Sequence, residues 1–314
     1  MISVVMSIYK TRKNYVRESI LSILNQTFSD FEFIIINNGS DREINELILS
    51  FNDKRIKILE TKNVITLYES RTLGFKEAKS EWIALMDADD KSLPNRFEQQ
   101  LKYIKESGNV KIACVGSWAR YMNDQGEVIG HRRSRPTNIK EFNEMKISNE
   151  AIITTDPSAI INKKAFFEVG GYRSEYTPAA DLDLWYRIVE NEYLIISIPE
   201  YYFYYRIHKD ADSTKKFMLQ RKKTHFANLN MKRRRLNLNE VNYNFFLENY
   251  WSKLSYRFPR QWRNYAKFFY KKAGLSYLSK NYPKVLLCLI PAILFNPIYV
   301  FNRVLSHVFK IKTL

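Results

Sequence analysis

Three aspartates within four positions, Asp87, Asp89 and Asp90, are the residues whose types and spacing most directly suggest chemistry. They lie at the end of the apolar run Trp82–Asp87, and carboxylates a few ångströms apart cannot all stay ionised at low dielectric. A divalent cation removes this conflict, because Mg²⁺ and Mn²⁺ take oxygen ligands and are commonly shared between carboxylates and phosphates. A structural alternative is that Asp89 and Asp90 cap a helix beginning near Pro94. The position at a strand end favours a site for Mn²⁺ or Mg²⁺ that neutralises a diphosphate.

Four apolar, β-branched runs with helical patterns between them must position this cluster. They are residues 2–9, 31–37, 56–59 and 82–87. Continuous apolar strands spaced in this way indicate a parallel sheet covered on both faces. Ligands of such open sheets bind at the carboxyl ends of the strands. Tyr9 ends the first run and Asn38 follows the second, so both are expected near the aspartates.

Two common glycine-rich phosphate-binding motifs are missing from the sequence. No G-x-G-x-x-G follows the first run, and no G-x-x-x-x-G-K-[ST] occurs. A dinucleotide fingerprint and a P-loop are therefore excluded. This absence supports the interpretation that a metal held by the aspartates binds phosphate.

Five segments together resemble the family-2 glycosyltransferases of the GT-A fold, over roughly residues 1–210. Residues 3–9 resemble the family's opening strand, and residues 19–28 resemble its first helix and the exit from that helix. Asn37-Asn38-Gly39-Ser40 resembles the family's Asp-Asp-Gly-Ser, and Arg71-Thr72-Leu73-Gly74 resembles its Ala-Arg-Asn-x-Gly. Residues 85–90, followed by Pro94, Arg96 and Gln99, resemble the metal motif and its helix. The resemblance implies an α/β, Rossmann-like GT-A fold with a mostly parallel sheet flanked by helices.

The resemblance also implies an activity and roles for individual residues. The family transfers a sugar from a nucleotide-activated donor to a hydroxyl, with inversion at the anomeric carbon. Tyr9 would lie against the base, Asn38 would contact the edge of the base, and Arg71 would contact the base or the diphosphate. Asp87 and Asp89 would form the Asp-x-Asp motif that meets the ribose and the metal. These roles suit a phenol ring, which stacks on a base, and a guanidinium, which binds phosphate oxygens in pairs.

Asn38 departs from the family pattern, in which the second Asp accepts a hydrogen bond from the uracil ring N–H. An Asn side chain has both an acceptor and donors, so uracil can still be recognised through the amide oxygen. Alternatively, Asn38 and Gly39 simply form a turn, with Gly39 supplying a positive φ. The structural alternatives are core packing for Tyr9 and a surface salt bridge for Arg71.

The residues downstream offer candidates for a general base and a further metal ligand. Residues 179–187 resemble the start of the family's Glu-Asp helix with Ala180 in place of Glu, which makes Asp181 the candidate base and Asp183 the second choice. Both aspartates could instead only favour the positive end of a helix dipole. Relatives of this fold can bring a histidine to the metal or diphosphate, so His208 is a candidate ligand, with a surface-loop histidine as the alternative. Residues 155–158 lie where acceptor contacts occur in the family.

The excess positive charge of the chain lies in its last third. Residues 1–205 contain 27 Lys and Arg against 29 Asp and Glu, whereas residues 206–314 contain 23 against 4, a balance of +19. Basic side chains interleaved with aromatic rings suit an anionic bilayer surface. The same pattern could bind single-stranded RNA. Two cysteines far apart, Cys114 and Cys288, form no disulfide framework and fit a reducing cytosol.

Residues 285–301 form an apolar run of 17 residues interrupted by Pro291, Asn296 and Pro297. A full transmembrane helix needs about 20 residues. An interfacial or half-buried helix pair is therefore favoured over a span. Lys284 and Arg303 would anchor its ends by extending their charged groups to the interface.

These observations define one functional hypothesis. Residues 1–210 form a catalytic domain, with a nucleotide-binding half at 1–105 and an acceptor half at 106–210, and residues 211–314 form a basic helical tail. The expected function is metal-dependent, inverting transfer of a hexosyl or N-acetylhexosaminyl group from a UDP-sugar to a lipid-linked or growing saccharide. The tail would attach the protein peripherally to the cytoplasmic face of the plasma membrane, as in bacterial polysaccharide, O-antigen or capsule assembly. The alternatives are a catalytically inactive scaffold, a nucleic-acid-binding protein and, more weakly, a nucleotidyltransferase.

Overall fold

The computed structural model describes residues 1–39, 41–108 and 110–308, and the chain divides into two compact units. The first unit is Met1–Arg206 and the second is Ile207–Leu314. The domain boundary predicted at residue 210 lies close to this division. Ser40, the last residue of the predicted 37–40 motif, lies outside the described residues, as does the end of the tail from residue 309.

Strands and helices alternate through most of the first unit. In its described part the strands are β1 (Ile2–Ile8), β2 (Phe31–Asn37), β3 (Ile56–Glu60), β4 (Trp82–Asp87), β5 (Lys91–Ser92), β6 (Ile112–Met122), β7 (Val128–Arg132), β8 (Ile160–Asn162) and β9 (Leu194–Arg206). The helices are α1 (Lys13–Leu24), α2 (Arg42–Ser50), α3 (Leu67–Glu77), α4 (Arg96–Glu106), α5 (Ile139–Ile147), α6 (Lys163–Glu168) and α7 (Ala180–Glu190), with 3₁₀ turns at Asp156–Ser158 and Ser174–Tyr176.

All of these strands belong to one sheet, in the order β3-β2-β1-β4-β8-β6-β9-β5, with β7 paired to β6. The strands β1 to β4 are parallel to their neighbours among themselves, which confirms the predicted first half. Antiparallel pairing begins at β8, which lies between β4 and β6, so the sheet as a whole is mixed. β8 has only three residues, too few to show a period in the sequence, and its antiparallel insertion was not predicted.

Helices cover both faces of the parallel strands. Val4 and Met6 of β1 belong to one buried cluster with α1 and α2, and Val5 belongs to the other with Phe75 of α3. Gly74 allows α3 to approach β1, because a Cβ at this position would overlap the Val5 side chain. Burial on both faces explains why β1, β2 and β4 are mainly apolar, whereas β3 is partly exposed and contains Lys57 and Glu60.

The second unit is helical as far as the structure describes it. Its helices are α8 (Asp212–Lys215), α9 (Phe217–Arg235), α10 (Tyr243–Phe246), α11 (Leu254–Leu278), α12 (Tyr282–Phe295) and α13 (Pro297–Val308), with a π-helical turn at Leu247–Trp251. The apolar run 285–301 forms α12 and the start of α13, separated at Asn296. None of the described helices has both the length and the apolar composition needed to cross a bilayer.

The helices α12 and α13 leave large apolar side chains exposed. We call these residues the α12–α13 apolar surface; they are Leu286, Leu287, Ile290, Ile293, Leu294, Ile298 and Phe301, each between 46% and 72% exposed. The opposite side of α12 packs on α11, where the rings of Trp262, Tyr265 and Phe269 contact Phe295.

Candidate active site

Asp87, Asp89 and Asp90 lie in the turn at the carboxyl end of β4. One carboxylate oxygen of each residue lies within 4.8 Å of those of the other two. The Asp90 N–H closes the turn by donating to the Asp87 carbonyl at 3.2 Å, and the Ser19 hydroxyl of α1 donates to the same carbonyl at 2.9 Å. The acidic cluster is therefore held by the main chain as well as by sequence proximity.

Arg206, the last residue of β9, holds this turn from the other side. Its main-chain N–H donates to Asp90 Oδ1 at 2.7 Å, and its guanidinium Nε donates to the Asp89 carbonyl at 2.7 Å. The same guanidinium binds Glu18 of α1 at 2.7 Å and lies 4.2 Å from the ring centroid of Tyr15. Because Arg206 is fully buried, it fixes the acidic turn relative to α1.

Asp90 combines burial with an unused acceptor. Among the described residues, its buried Oδ2 atom has no hydrogen-bond partner. Burial, together with the charges of Asp89 and Asp87, raises the pKa of Asp90 well above its usual value. Burial also raises the pKa of Asp87, against the opposing effect of Arg71. Three close carboxylates with an unpartnered buried oxygen fit a divalent cation, which supplies the missing positive charge.

Arg71 of α3 lies between two carboxylates. Its guanidinium donates to Asp87 Oδ1 at 2.7 Å and to Asp156 Oδ2 in the 3₁₀ turn after α5. Burial alone would lower its pKa, but Asp156 and Asp87 outweigh that effect and hold the pKa well above its usual value. Arg71 is only 1% exposed, so it is not a surface salt bridge. In this structure it positions Asp87, because both terminal nitrogens bind protein carboxylates.

Asp156 is a member of the site whose pairing with Arg71 sequence reasoning missed. Burial raises its pKa to about 6, Arg71 opposes the rise, and Asp181 and Asp87 add to it. Its buried Oδ1 has no hydrogen-bond partner among the described residues. The segment 155–158 was expected to contact the acceptor, but no motif in the sequence signalled an ion pair across 85 positions.

Asp181, the candidate base, lies in the first turn of α7 and binds Tyr68 of α3. The Tyr68 hydroxyl is 3.1 Å from Asp181 Oδ1. Burial raises the pKa of Tyr68 well above its usual value, so the phenol stays protonated and donates. Asp181 also lies close enough to Asp156 to raise the pKa of that group. The structure thus brings the candidate base to the same group of residues as Arg71 and Asp87.

Asp183, the second choice for the base, has a different environment. Its carboxylate is 0% exposed and accepts hydrogen bonds from Arg173 and Arg187. Arg187 also donates to the Gly171 carbonyl at 2.6 Å. Both oxygens are bound and the carboxylate has no exposed surface, so the structure gives Asp183 a structural contact with the segment that precedes α7. Its role as a general base stays a prediction, and Asp181 stays the first choice.

The two residues predicted to contact the base differ in exposure. The Tyr9 ring follows β1 and is 39% exposed, so it is not part of the core. Asn38 is buried, and its Oδ1 accepts from the Thr61 hydroxyl at 3.1 Å and the Ile65 N–H at 3.0 Å, while Nδ2 donates to the Ile65 carbonyl at 2.7 Å. Asn38 therefore holds the loop between β3 and α3, and its oxygen is already bonded twice.

His208 lies just beyond the first unit, in the segment Ile207–Leu314. The cluster of candidate ligands in the described chain consists of the three aspartates without a histidine. Metal binding by His208 stays a prediction. Sequence reasoning missed Tyr68, and it considered Arg206 only as a possible phosphate contact and not as a residue that holds the acidic turn. Both act through contacts between elements far apart in the chain, for which the sequence has no local signal.

Comparison with solved structures identifies the fold. A Staphylococcus aureus TarS fragment in complex with UDP-GlcNAc aligns with a TM-score of 0.54 at 14% identity, covering 92% of this chain and 90% of that one. The mannosyltransferase PcManGT of Pyrobaculum calidifontis, in complex with GDP-Man and Mn²⁺, aligns with a TM-score of 0.55 at 11% identity, covering 98% and 80%. The chain thus has the GT-A fold of these glycosyltransferases, as the resemblance implied.

Sequence comparison identifies the family. The model of glycosyl transferase family 2 matches residues 3–170. The O-antigen biosynthesis glycosyltransferase WbnJ of Escherichia coli is 35% identical over 217 residues, which are 67% of this chain and 81% of that protein. An uncharacterised glycosyltransferase of Methanocaldococcus jannaschii is 30% identical over 210 residues, 66% and 71% of the two chains. The chain belongs to glycosyl transferase family 2, as the resemblance predicted.

Proposed function

We propose that this glycosyltransferase moves a hexosyl or N-acetylhexosaminyl group, with inversion, from a UDP-sugar to a hydroxyl of a lipid-linked or growing saccharide, using Mn²⁺ or Mg²⁺. The observation that carries the proposal is the convergence of the three-aspartate turn, the Arg71–Asp156 pair and the Tyr68–Asp181 pair at one edge of the sheet. The UDP and UDP-GlcNAc bound to TarS, and the GDP-Man and Mn²⁺ bound to PcManGT, support a nucleotide-sugar donor and a metal.

In the proposed reaction, the acceptor oxygen bonds to the anomeric carbon while Asp181 takes the hydroxyl proton. The bond from that carbon to the diphosphate oxygen breaks, and its electron pair leaves with the nucleoside diphosphate. Tyr68 binds Oδ1 of Asp181, which orients the carboxylate and directs Oδ2 to the proton. Tyr9 offers an exposed ring on which the base can stack.

The acidic turn prepares the donor site for this step. Asp87, Asp89 and Asp90 would hold the cation, which supplies positive charge to the departing diphosphate. Arg71 keeps Asp87 in place through a buried ion pair, and Arg206 keeps Asp89 and Asp90 in place through main-chain contacts. These supports reduce the rearrangement needed when the donor binds.

A donor screen tests this proposal without knowledge of the acceptor. The full chain is incubated with Mn²⁺ and individual UDP- and GDP-sugars, and the release of nucleoside diphosphate is measured. We expect slow hydrolysis of a UDP-sugar that is lost with EDTA and in Asp89→Ala. Asp181→Asn should reduce the rate by about 10²- to 10⁴-fold, the usual contribution of a general base.

Asp30→Asn is the matched control, because Asp30 precedes β2 at the opposite edge of the sheet and its side chain is 68% exposed. Its rate should equal that of the unmodified protein. Hydrolysis that survives in both Asp89→Ala and Asp181→Asn would contradict the assigned roles. If no nucleotide sugar is bound or hydrolysed, the inactive-scaffold alternative is correct.

We further propose that the tail attaches the protein peripherally to the cytoplasmic face of the plasma membrane, where a lipid-linked acceptor is located. The support is the α12–α13 apolar surface within a strongly basic segment. Leu287→Glu combined with Leu294→Glu should abolish co-sedimentation with anionic vesicles. Leu49→Glu, at a residue of α2 that is 64% exposed, is the control and should still sediment. Equal sedimentation of all three proteins would exclude this attachment.

A further inference from the structure

Cationic side chains from two helices of the second unit face one another, beside a tyrosine of a third helix. Arg221 and His225 lie one turn apart on α9, and Arg263 and Lys267 lie one turn apart on α11. Lys267 Nζ lies 5.8 Å from the ring centroid of Tyr299 on α13. Among the described residues, no carboxylate forms an ion pair with Arg221, Arg263 or Lys267. The cluster therefore has positive charge without a matching negative group.

The buried amide of Asn264 fixes the geometry of this cluster. Arg221 Nε donates to Asn264 Oδ1 at 3.2 Å, which leaves Asn264 Nδ2 beside His225 Nε2 at 3.3 Å. An amide nitrogen only donates, so His225 Nε2 accepts and the imidazole is neutral. Burial, followed by the charges of Arg221, Arg260, Arg263 and Lys267, lowers the pKa of His225 to about 4, in agreement with that arrangement.

Lys267 is also surrounded by positive charges. Burial lowers its pKa, and the charges of Arg221, Arg263 and Arg303 lower it further. Arg221 and Lys267 are half-buried, whereas Arg263 is exposed. Like charges held close together in partly buried positions reduce stability unless an anion joins them. Arginine and lysine donors that converge without carboxylates are the groups that bind phosphate oxygens in proteins.

We propose that Arg221, Arg263 and Lys267 form a binding site for a phosphate group, supplied by a membrane lipid or by free phosphate. The neighbouring surface favours the lipid. Tyr299 beside Lys267 belongs to α13, whose Ile298 and Phe301 are 72% and 63% exposed. A lipid phosphate at the cations would place its hydrocarbon chains along these apolar side chains. The inference specifies how the proposed membrane attachment works and is independent of the sugar-transfer chemistry.

Thermal unfolding of the full chain with and without inorganic phosphate is the first test. Phosphate should raise the Tm of the unmodified protein and should bind at least about tenfold more weakly to Lys267→Met, which loses a charged donor but keeps an aliphatic side chain. In phosphate-free buffer Lys267→Met should unfold at the same or a higher temperature, because repulsion is relieved. A merely structural lysine would instead lower the Tm when replaced. Lys253→Met, at an exposed residue just before α11, is the matched control and should bind phosphate normally.

Vesicles distinguish the two sources of phosphate. Vesicles of phosphatidylcholine with phosphatidic acid, or with phosphatidylserine at equal net charge, are compared for binding to the same three proteins. A preference for phosphatidic acid that Lys267→Met loses and Lys253→Met keeps identifies a lipid phosphate site, whereas an effect of inorganic phosphate alone identifies a site for free phosphate. Equal behaviour of the two variants in both assays would overturn the proposal. Donor hydrolysis in detergent should be normal in Lys267→Met, so failure here is distinguishable from failure of the catalytic proposal.

Discussion

Replacing Arg71 by methionine is the most informative perturbation of the active site. Arg71→Met keeps an unbranched side chain of similar length and removes the charge that lies between Asp87 and Asp156. Arg71 is 1% exposed and the Asp156 side chain is 14% exposed, so water replaces the lost partner of Asp156 only in part. Removing one member of a buried ion pair destabilises proteins by about 3–5 kcal/mol. For a domain of this size that corresponds to a fall in Tm of about 6–20 °C.

The loss of stability in Arg71→Met should depend on pH, and the pKa of Asp156 sets the direction of that dependence. With Arg71 present, burial raises the pKa of Asp156 to about 6, above that of an unfolded carboxyl group. A folded-state pKa raised in this way contributes stability at low pH that is lost as the pH rises through the folded value. Without the opposing charge of Arg71 the pKa of Asp156 rises further. The folded protein therefore continues to lose stability up to a higher pH. The difference in Tm between Arg71→Met and the unmodified protein should be small near about pH 5 and largest near about pH 8.

Differential scanning calorimetry across this pH range measures both effects. Arg42→Met is the control, because the Arg42 side chain is 92% exposed and pairs with Glu46 one turn away; its Tm should be unchanged. Adding Asp156→Asn to Arg71→Met should recover part of the lost Tm, since it removes one uncompensated carboxylate. A loss in Arg71→Met that is equal at both ends of the pH range, or absent at high pH, would refute the reasoning.

Three further predictions concern the metal turn and the helix packing. Asp90→Asn should weaken Mn²⁺ binding by about 10- to 100-fold in titration calorimetry, and unchanged affinity would exclude Asp90 as a ligand. Mn²⁺ affinity of the unmodified protein should fall as the pH is lowered from about 8 to about 5, because protons compete at Asp87 and Asp90, whose pKa values are raised; a flat profile would argue against carboxylate ligands. Gly74→Ala should destabilise the fold by about 1–3 kcal/mol through overlap with Val5, whereas Gly274→Ala, in the open part of α11, should stabilise by about 0.5–1 kcal/mol. Chemical denaturation measures both changes, and equal effects of the two substitutions would contradict the packing argument.

The first half of the fold was predictable because its signals are local. Strands β1, β2 and β4 are largely buried on both faces and therefore consist of mainly apolar runs, which can be recognised without knowledge of their neighbours. The same holds for the acidic turn after β4, whose three aspartates are adjacent in the chain. The three-residue β8 and its antiparallel pairing depend on β4 and β6, and its sequence has no period to reveal them.

The sequence alone determined the family, the parallel strands and the position of the acidic cluster at a strand end, because each depends on residues that are close together in the chain. Only the tertiary structure decided what the charged side chains of the site do. Arg71 binds Asp156, Arg206 binds Glu18, and Asp183 binds Arg173, all through contacts between separate elements. The physical reason is burial, which makes each charge depend on a partner that the fold supplies from elsewhere in the chain.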